Sequence, residues 1–161
     1  MALSNFERMI QLAEDIFDAR NDTNQLNVDE KVIEQLNRIH PSSLSEYDNG
    51  NGPVVWILVI PTTFELMNKF INKNITEQEL LDLTPLNTSY EAIYLCSAMV
   101  LPEFRNKGIA KKLTLEAIEN IKKQHPIKSL FVWPFTKEGN ELAERIAILS
   151  SLPLLKRTKS H

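Results

Sequence analysis

The chain has few of the residues that cross-link small extracellular proteins or interrupt regular structure. Its 161 residues include one cysteine, Cys96, and four glycines. A single cysteine excludes an internal disulfide and is typical of a chain that works in a reducing compartment, so the sequence predicts a cytoplasmic protein. Because glycine inside a helix costs about 1 kcal/mol relative to alanine, each of the four is informative.

Long apolar runs are also lacking. One of the longest, residues 54–60, is far too short to span a bilayer. Charged side chains interrupt the N-terminal stretch, where a signal peptide needs a continuous apolar core. We therefore expect no membrane partner and no secretory leader. With 43% hydrophobic and 24% charged residues, the chain has the composition of a single globular domain covering 1–161.

The chain carries no excess of positive charge. Its formal net charge is −3, which gives no general attraction to phosphate backbones, so we expect no nucleic-acid partner. The three histidines, His40, His125 and His161, lack the spacing of metal ligands, and we expect no metal site. The sequence leaves the assembly open between a monomer and a homodimer.

Helical periodicity and capping signals predict a helical N-terminal part over 1–40. Apolar residues recur at helical spacing at Phe6, Ile10, Ala13 and Phe17, and again at Val28, Val32, Leu36 and Ile39. Helix starts are predicted at Ser4, Asn27, Thr62 and Thr76, each followed three residues later by glutamate. Residues 41–52 are rich in serine, asparagine and glycine and predict a loop.

The remainder, residues 53–161, is predicted to be an α/β core. Runs of β-forming residues predict strands at 54–60, 92–100 and 130–133, with a short one at 154–155. Amphipathic patterns predict helices over about 106–123 and 137–149. The fold class is therefore α/β or α+β, with a mixed central β-sheet flanked by helices.

The most informative segment, residues 94–113, leads from a buried strand through a turn into a helix. Pro102 cannot continue a central strand, and Gly108 is placed in the first turn of the predicted helix. The first N–H groups of a helix have no internal partner and can bind a phosphate, which a glycine allows to approach closely. Arg105, Lys107, Lys111 and Lys112 surround this turn. A packing role for Gly108 remains the alternative.

This arrangement, extending over about residues 93–143, resembles the acyl-CoA-binding core of the GNAT acetyltransferase superfamily. The resemblance implies a GNAT-like fold and acetyl-CoA, or coenzyme A, as the ligand. Backbone groups at the end of the central strand would hold the pantetheine arm, and the turn and helix start would hold the pyrophosphate. The implied cofactor-binding residues are Ala98, Met99, Val100, Arg105, Asn106, Lys107, Gly108, Ile109, Ala110, Lys111 and Thr136.

The implied reaction is the transfer of an acyl group to an amine acceptor, a small molecule or a peptide. A backbone N–H near Met99 or Val100 would polarise the thioester carbonyl. Ala143, however, stands where the family's common tyrosine acid lies, and Thr136 where an asparagine is usual. A catalytically silent CoA-binding or interaction module is therefore the alternative function.

Three residues stay open as catalytic candidates, each with a structural alternative. Tyr94 is an acid or base, or a core residue with a satisfied hydroxyl. Glu138 has a catalytic role or complements the dipole of the following helix. Cys96 is a core residue or an acyl-accepting nucleophile, which would need a nearby base.

Overall fold

The computed structural model describes residues 3–20 and 30–158, with the side chains of 16–20 excepted. The predicted start at Asn27, the side chains of Phe17 and Val28, and His161 lie outside the described residues. No helix in the described ranges is both long enough and apolar enough to cross a membrane.

Helices and strands come in pairs of one type up to α4 and alternate from β3 onward. The helices are α1 (Asn5–Arg20), α2 (Glu30–Ile39), α3 (Phe64–Ile71), α4 (Glu77–Leu83), α5 (Ile109–Lys122) and α6 (Lys137–Ser150). The strands are β1 (Leu44–Asp48), β2 (Pro53–Thr62), β3 (Ala92–Val100), β4 (Ser129–Val132) and β5 (Leu154–Lys156). The four predicted strands and the two predicted helices of the core are confirmed to within a few residues.

The strands form one sheet in the order β1-β2-β3-β4-β5. β1, β2 and β3 are antiparallel neighbours, whereas β3–β4 and β4–β5 are parallel pairs joined through α5 and α6. The predicted mixed sheet flanked by helices is therefore confirmed. β2 is buried along nearly its whole length, as expected of a strand in the middle of a sheet that is covered on both faces.

β3 and β4 separate part of the way along the sheet. Their pairing begins at Ala92 and Ser129 and ends at Leu95 and Val132. β4 stops there, but β3 continues for five residues, from Cys96 to Val100. The register between β2 and β3 shifts at the same place, which leaves Cys96 as the extra residue of a β-bulge. Because a bulge bends its strand, it directs β3 away from the end of β4.

The segment 41–52 is not the loop that its composition predicts. It contains a 3₁₀ turn, Pro41–Ser43, and the edge strand β1, which pairs with β2 from Leu44 to Asp48. The sequence signal fails because β1 is short and half polar, as exposed edge strands often are. The serine- and glycine-rich composition marks only the hairpin that follows it.

Two details of the helices also differ from the prediction. α3 is capped by Thr63, whose Oγ1 accepts from the Leu66 N–H, whereas Thr62 pairs with Thr84 in the core. In α1, Phe6 and Ile10 are exposed and Met9 is fully buried. The boundary of α3 and the inward face of α1 were therefore predicted wrongly. The capping box at Thr76 and the first helix start at Ser4 are confirmed.

Candidate active site

A cavity of about 710 Å³ opens where β3 and β4 separate. Its walls come from the second half of β3, the segment after β4, the start of α5 and the inner face of α6. The volume falls within the range of small-molecule sites, about 300–1,000 Å³. Because the sheet itself divides here, the cavity lies between backbone edges as well as side chains.

The register of β3 shows which of its peptide groups face this opening. The Leu101 N–H donates to the Val54 carbonyl, and hydrogen-bonded pairs alternate along an antiparallel ladder. Met99 and Ser97 therefore bond to β2, and Ala98 and Val100 turn their peptide groups toward the vacated side of β4. On that side the Val100 carbonyl accepts a hydrogen bond from the Arg105 Nε, at 3.2 Å. The peptide groups of Ala98 and Val100 therefore face the open side, whereas those of Met99 face β2.

α5 begins without a side-chain cap. Its N-cap is Gly108, and no described side chain bonds to its first N–H groups. Gly108 has φ +77°, and Asn106 has φ +62°. Left-handed residues within a turn can direct successive backbone N–H groups toward one point, as in anion-binding concavities. The helix dipole adds to its positive potential.

Gly108 has no packing role against the rest of the protein. A Cβ built on it would meet nothing within 4 Å, so the packing interpretation of this glycine is wrong. What requires glycine is the positive φ, which L-residues adopt only with strain. Gly108 itself is one of the residues that line the cavity.

Most of the predicted ligand-binding residues meet at this cavity. Nine of the eleven line it: Ala98, Val100, Arg105, Asn106, Gly108, Ile109, Ala110, Lys111 and Thr136. Met99 is buried, with an exposed fraction of 1%, and it does not line the cavity. Lys107 places its ammonium over the Phe104 ring, 5.9 Å from the centroid, rather than along the wall.

The wall contributed by α6 carries Ala143 and Glu138. Ala143 is buried and has no polar atom in its side chain, so this position supplies no proton donor. Glu138 lies in the first turn of α6, where it also complements the helix dipole. Thr136 caps α6, since its Oγ1 accepts from the Gly139 N–H at 2.9 Å.

Two buried polar atoms on the cavity wall have no hydrogen-bond partner among the described residues. They are the Ser97 Oγ and the Trp133 Nε1. Trp133 has an exposed fraction of 5% and lies beside Phe135, with ring centroids 4.5 Å apart and the ring planes tilted by 51°. Buried polar groups without partners are rare, and each calls for a partner such as an ordered water or a ligand.

Behind the cavity wall lies a buried polar cluster that the sequence does not reveal. The Tyr94 Oη donates to the Glu77 Oε2 at 2.5 Å, and the Cys96 Sγ donates to the same oxygen at 4.0 Å. Glu77 has an exposed fraction of 1%, although its position after Thr76 in the first turn of α4 is typical of an exposed dipole partner. Of the three, Cys96 alone lines the cavity.

The histidines form no metal centre in the described part of the chain. Within residues 3–20 and 30–158, no group of three or more histidine, cysteine, aspartate or glutamate side chains could hold a metal ion. The His40 Nε2 donates to the Gln124 Oε1 at 2.5 Å, because the His40 Nδ1 accepts from the Ser42 N–H. The rings of His40 and His125 lie 5.9 Å apart. Burial, with His40 nearby, lowers the pKa of His125.

The comparison with known families fits this geometry. A sequence model of the acetyltransferase (GNAT) family matches residues 74–147, from the residues before α4 to the last turn of α6. No curated protein matches the chain. The match covers both separating strands and the helix start at the cavity, and it supports membership of the GNAT superfamily.

Proposed function

We propose that this protein is an acyl-CoA-dependent N-acyltransferase that transfers an acyl group, acetyl in the first instance, to the amine of a small molecule or peptide. The observation that carries the proposal is the position of the cavity. It connects an unpaired strand edge with an uncapped helix start in a chain of the GNAT family. The same family match and the single cysteine favour a cytoplasmic setting.

The chain's own groups fit the chemistry of coenzyme A. The backbone N–H groups at the start of α5 suit the pyrophosphate, with Arg105 and Lys111 beside them for charge-assisted bonds. The pantetheine arm carries amides, and these match the open peptide groups of Ala98 and Val100. The apolar side chains of Ile109, Leu142 and Ile146 line the same cavity. Among these groups the Val100 carbonyl is already bonded, to the Arg105 Nε at 3.2 Å.

When bound, acyl-CoA supplies an activated carbonyl, and the protein must polarise that carbonyl and manage protons. The Val100 N–H on the open side of β3 suits the first task, as does the Trp133 Nε1. The Val100 N–H is fixed by the pairing of β3 with β2, and the Trp133 ring packs against Phe135, so neither donor needs to rearrange as charge develops.

The reaction is tested by following thiol release from acetyl-CoA across a panel of amines. We expect release that depends on one class of amine and that is lost in the Gly108→Val variant. A wild-type protein that binds acetyl-CoA but releases no thiol with any amine would contradict the transferase function.

One observation favours a second function. Ala143 lies on the cavity wall at the family's usual tyrosine position, and an alanine there suits a protein that binds CoA without turnover. The same experiment distinguishes the two, because a silent CoA-binding module shows binding of acetyl-CoA in every variant that retains Gly108 and thiol release in none.

A further inference from the structure

We propose that Cys96 is the acyl-accepting nucleophile of the protein, with Glu77 as its base and Tyr94 as the residue that positions Glu77. This inference rests on the proposed acyl-CoA site and adds a covalent step to it. In this step Glu77 transfers the proton, a task for which Ala143 has no suitable group.

The first observation is the geometry of the three side chains. A nucleophile, a base within hydrogen-bond reach and a third group that orients the base define an activated nucleophile. Cys96 and Tyr94 both donate to the Glu77 Oε2, at 4.0 Å and 2.5 Å. Since sulfur forms long hydrogen bonds, the Cys96 thiol is placed to pass its proton to this carboxylate.

The second observation is the rigidity of the cluster. Glu77 and Tyr94 have exposed fractions of only 1% each. Tyr94 packs against Phe70 and Phe131, with ring centroids 4.8 and 5.0 Å away. Arg157, also buried, donates to the Ile75 carbonyl at 2.8 Å, two residues before Glu77. The segment that carries the base is thus held on both sides.

The third observation is the place where Cys96 meets the cavity. Cys96 is the bulged residue at the point where β3 leaves β4, and its neighbour Ser97 and the facing Trp133 supply the unpartnered polar atoms of the wall. Cys96 is half-buried. A bulge commonly re-aims a side chain beside an active site, and here the thiol reaches the wall while its base stays behind it.

The acyl group moves in two transfers, first to Cys96 and then to the amine. The Cys96 thiol gives its proton to Glu77, and the sulfur forms a bond to the thioester carbonyl carbon. The bond from that carbon to the CoA sulfur breaks, and the departing thiolate takes the proton from Glu77. The acceptor amine then attacks the acyl-Cys96 thioester, the carbon–sulfur bond to Cys96 breaks, and the amine's proton returns to the Cys96 sulfur by way of Glu77.

The chain offers a clean readout because Cys96 is its only cysteine. The wild-type protein, incubated with acetyl-CoA without an amine, should gain one acetyl group in its intact mass. Hydroxylamine should remove it, as expected of a thioester. Cys96→Ala should gain none. In the double variant C96A/S97C, the thiol moves one residue along the strand away from Glu77, and the labile adduct should form no faster than in denatured protein.

Two further variants separate the base from its positioning residue. Glu77→Gln should slow adduct formation about a hundredfold, within the range of general-base catalysis. Tyr94→Phe should move the pH midpoint of adduct formation upward, because hydrogen bonds to a carboxylate favour its ionised form. The matched control is Tyr90→Phe, another buried tyrosine, whose hydroxyl donates to the Pro85 carbonyl; it should leave that midpoint unchanged.

The covalent step and the proposed function fail differently. If calorimetry shows bound acetyl-CoA but no labile adduct forms, or if Cys96→Ala releases thiol at the wild-type rate with an amine, the covalent step is wrong and direct transfer stands. An adduct that forms as fast in Glu77→Gln as in the wild type removes Glu77 as the base. A second readout needs no turnover: saturating coenzyme A should protect Cys96 from alkylation, and unchanged alkylation would overturn its placement in the site.

Discussion

Arg8 of α1 and Glu103 of the turn before α5 form a two-pronged salt bridge. The Arg8 Nη1 donates to one carboxylate oxygen and Nη2 to the other, both at 2.7 Å. Arginine and carboxylate match in this paired geometry, which fixes their relative orientation as well as their distance. The N-terminal helix is thus tied to the turn that begins the candidate site.

The Arg8–Glu103 pair predicts a loss of stability in acid. Hydrogen bonds from Arg8 lower the pKa of Glu103 from 4.5 to about 2. Because the folded value lies below the unfolded one, the pair's contribution is complete above pH 4.5 and disappears as the pH falls toward 2. Glu103→Gln should lack this component. Denaturant midpoints measured from pH 5 downward check this acid dependence. The control is Glu65→Gln, which removes the exposed ion pair with Lys69. Parallel pH curves for wild type and Glu103→Gln would contradict the prediction.

His125 predicts a second pH dependence, nearer neutrality. Its Nδ1 accepts from the Tyr90 N–H at 3.2 Å, a bond that protonation of this nitrogen abolishes. Burial, followed by repulsion from His40, lowers its pKa below 6.5. The unfolded chain therefore binds a proton more readily, and stability falls as the pH drops below 6.5. His125→Asn keeps an acceptor without the titration and should flatten the slope of unfolding free energy against pH between about 7.5 and 5.5. An equal slope in both proteins would exclude this role.

Gly108 predicts a difference between two substitutions of the same glycine. Its φ of +77° strains any residue with a β-carbon, by about 1–2 kcal/mol, and asparagine tolerates this conformation best. No protein atom lies within 4 Å of the added Cβ. Gly108→Val should therefore lose more unfolding free energy than Gly108→Asn, and both should remain folded. Urea unfolding with circular dichroism measures it, and unfolding of both variants would return Gly108 to a packing role.

Thr136 predicts a capping effect at the start of α6. Its Oγ1 accepts from the Gly139 N–H, and loss of such a cap costs about 1 kcal/mol. The unfolding free energy of Thr136→Ala should be lower than that of the wild type by this amount. Thr136→Ser keeps the oxygen, and its unfolding free energy should stay near the wild-type value. Equal losses in the two variants would assign the effect to the methyl group instead.

The part of the site that could be predicted from sequence is the part built from consecutive residues. The strand, proline, basic turn and glycine before α5 follow one another over about twenty positions, so their spacing already fixes a strand–turn–helix unit. Residues 92–100 and 130–133 are strongly apolar, and both proved to be strands beside the cavity.

What escaped prediction depends on contacts between distant segments. Glu77 carries an ordinary helix-start signal, and only the packing of α4 against β3 buries it beside Tyr94, seventeen residues later. Arg157 follows a basic residue near the end of the chain and looks exposed, yet it stacks on Phe70 and Trp133. The bulge at Cys96 leaves no mark on the strand's continuous apolarity.

The central claim is that the cavity between β3, β4 and α5 binds coenzyme A through the uncapped start of α5. Isothermal titration of the wild-type protein with coenzyme A tests it most directly, with Gly108→Val as the matched variant. We predict saturable heat at one site together with a raised unfolding temperature, and at least a tenfold loss of affinity in Gly108→Val, about 1.4 kcal/mol. No heat and no thermal stabilisation in the wild type would contradict it.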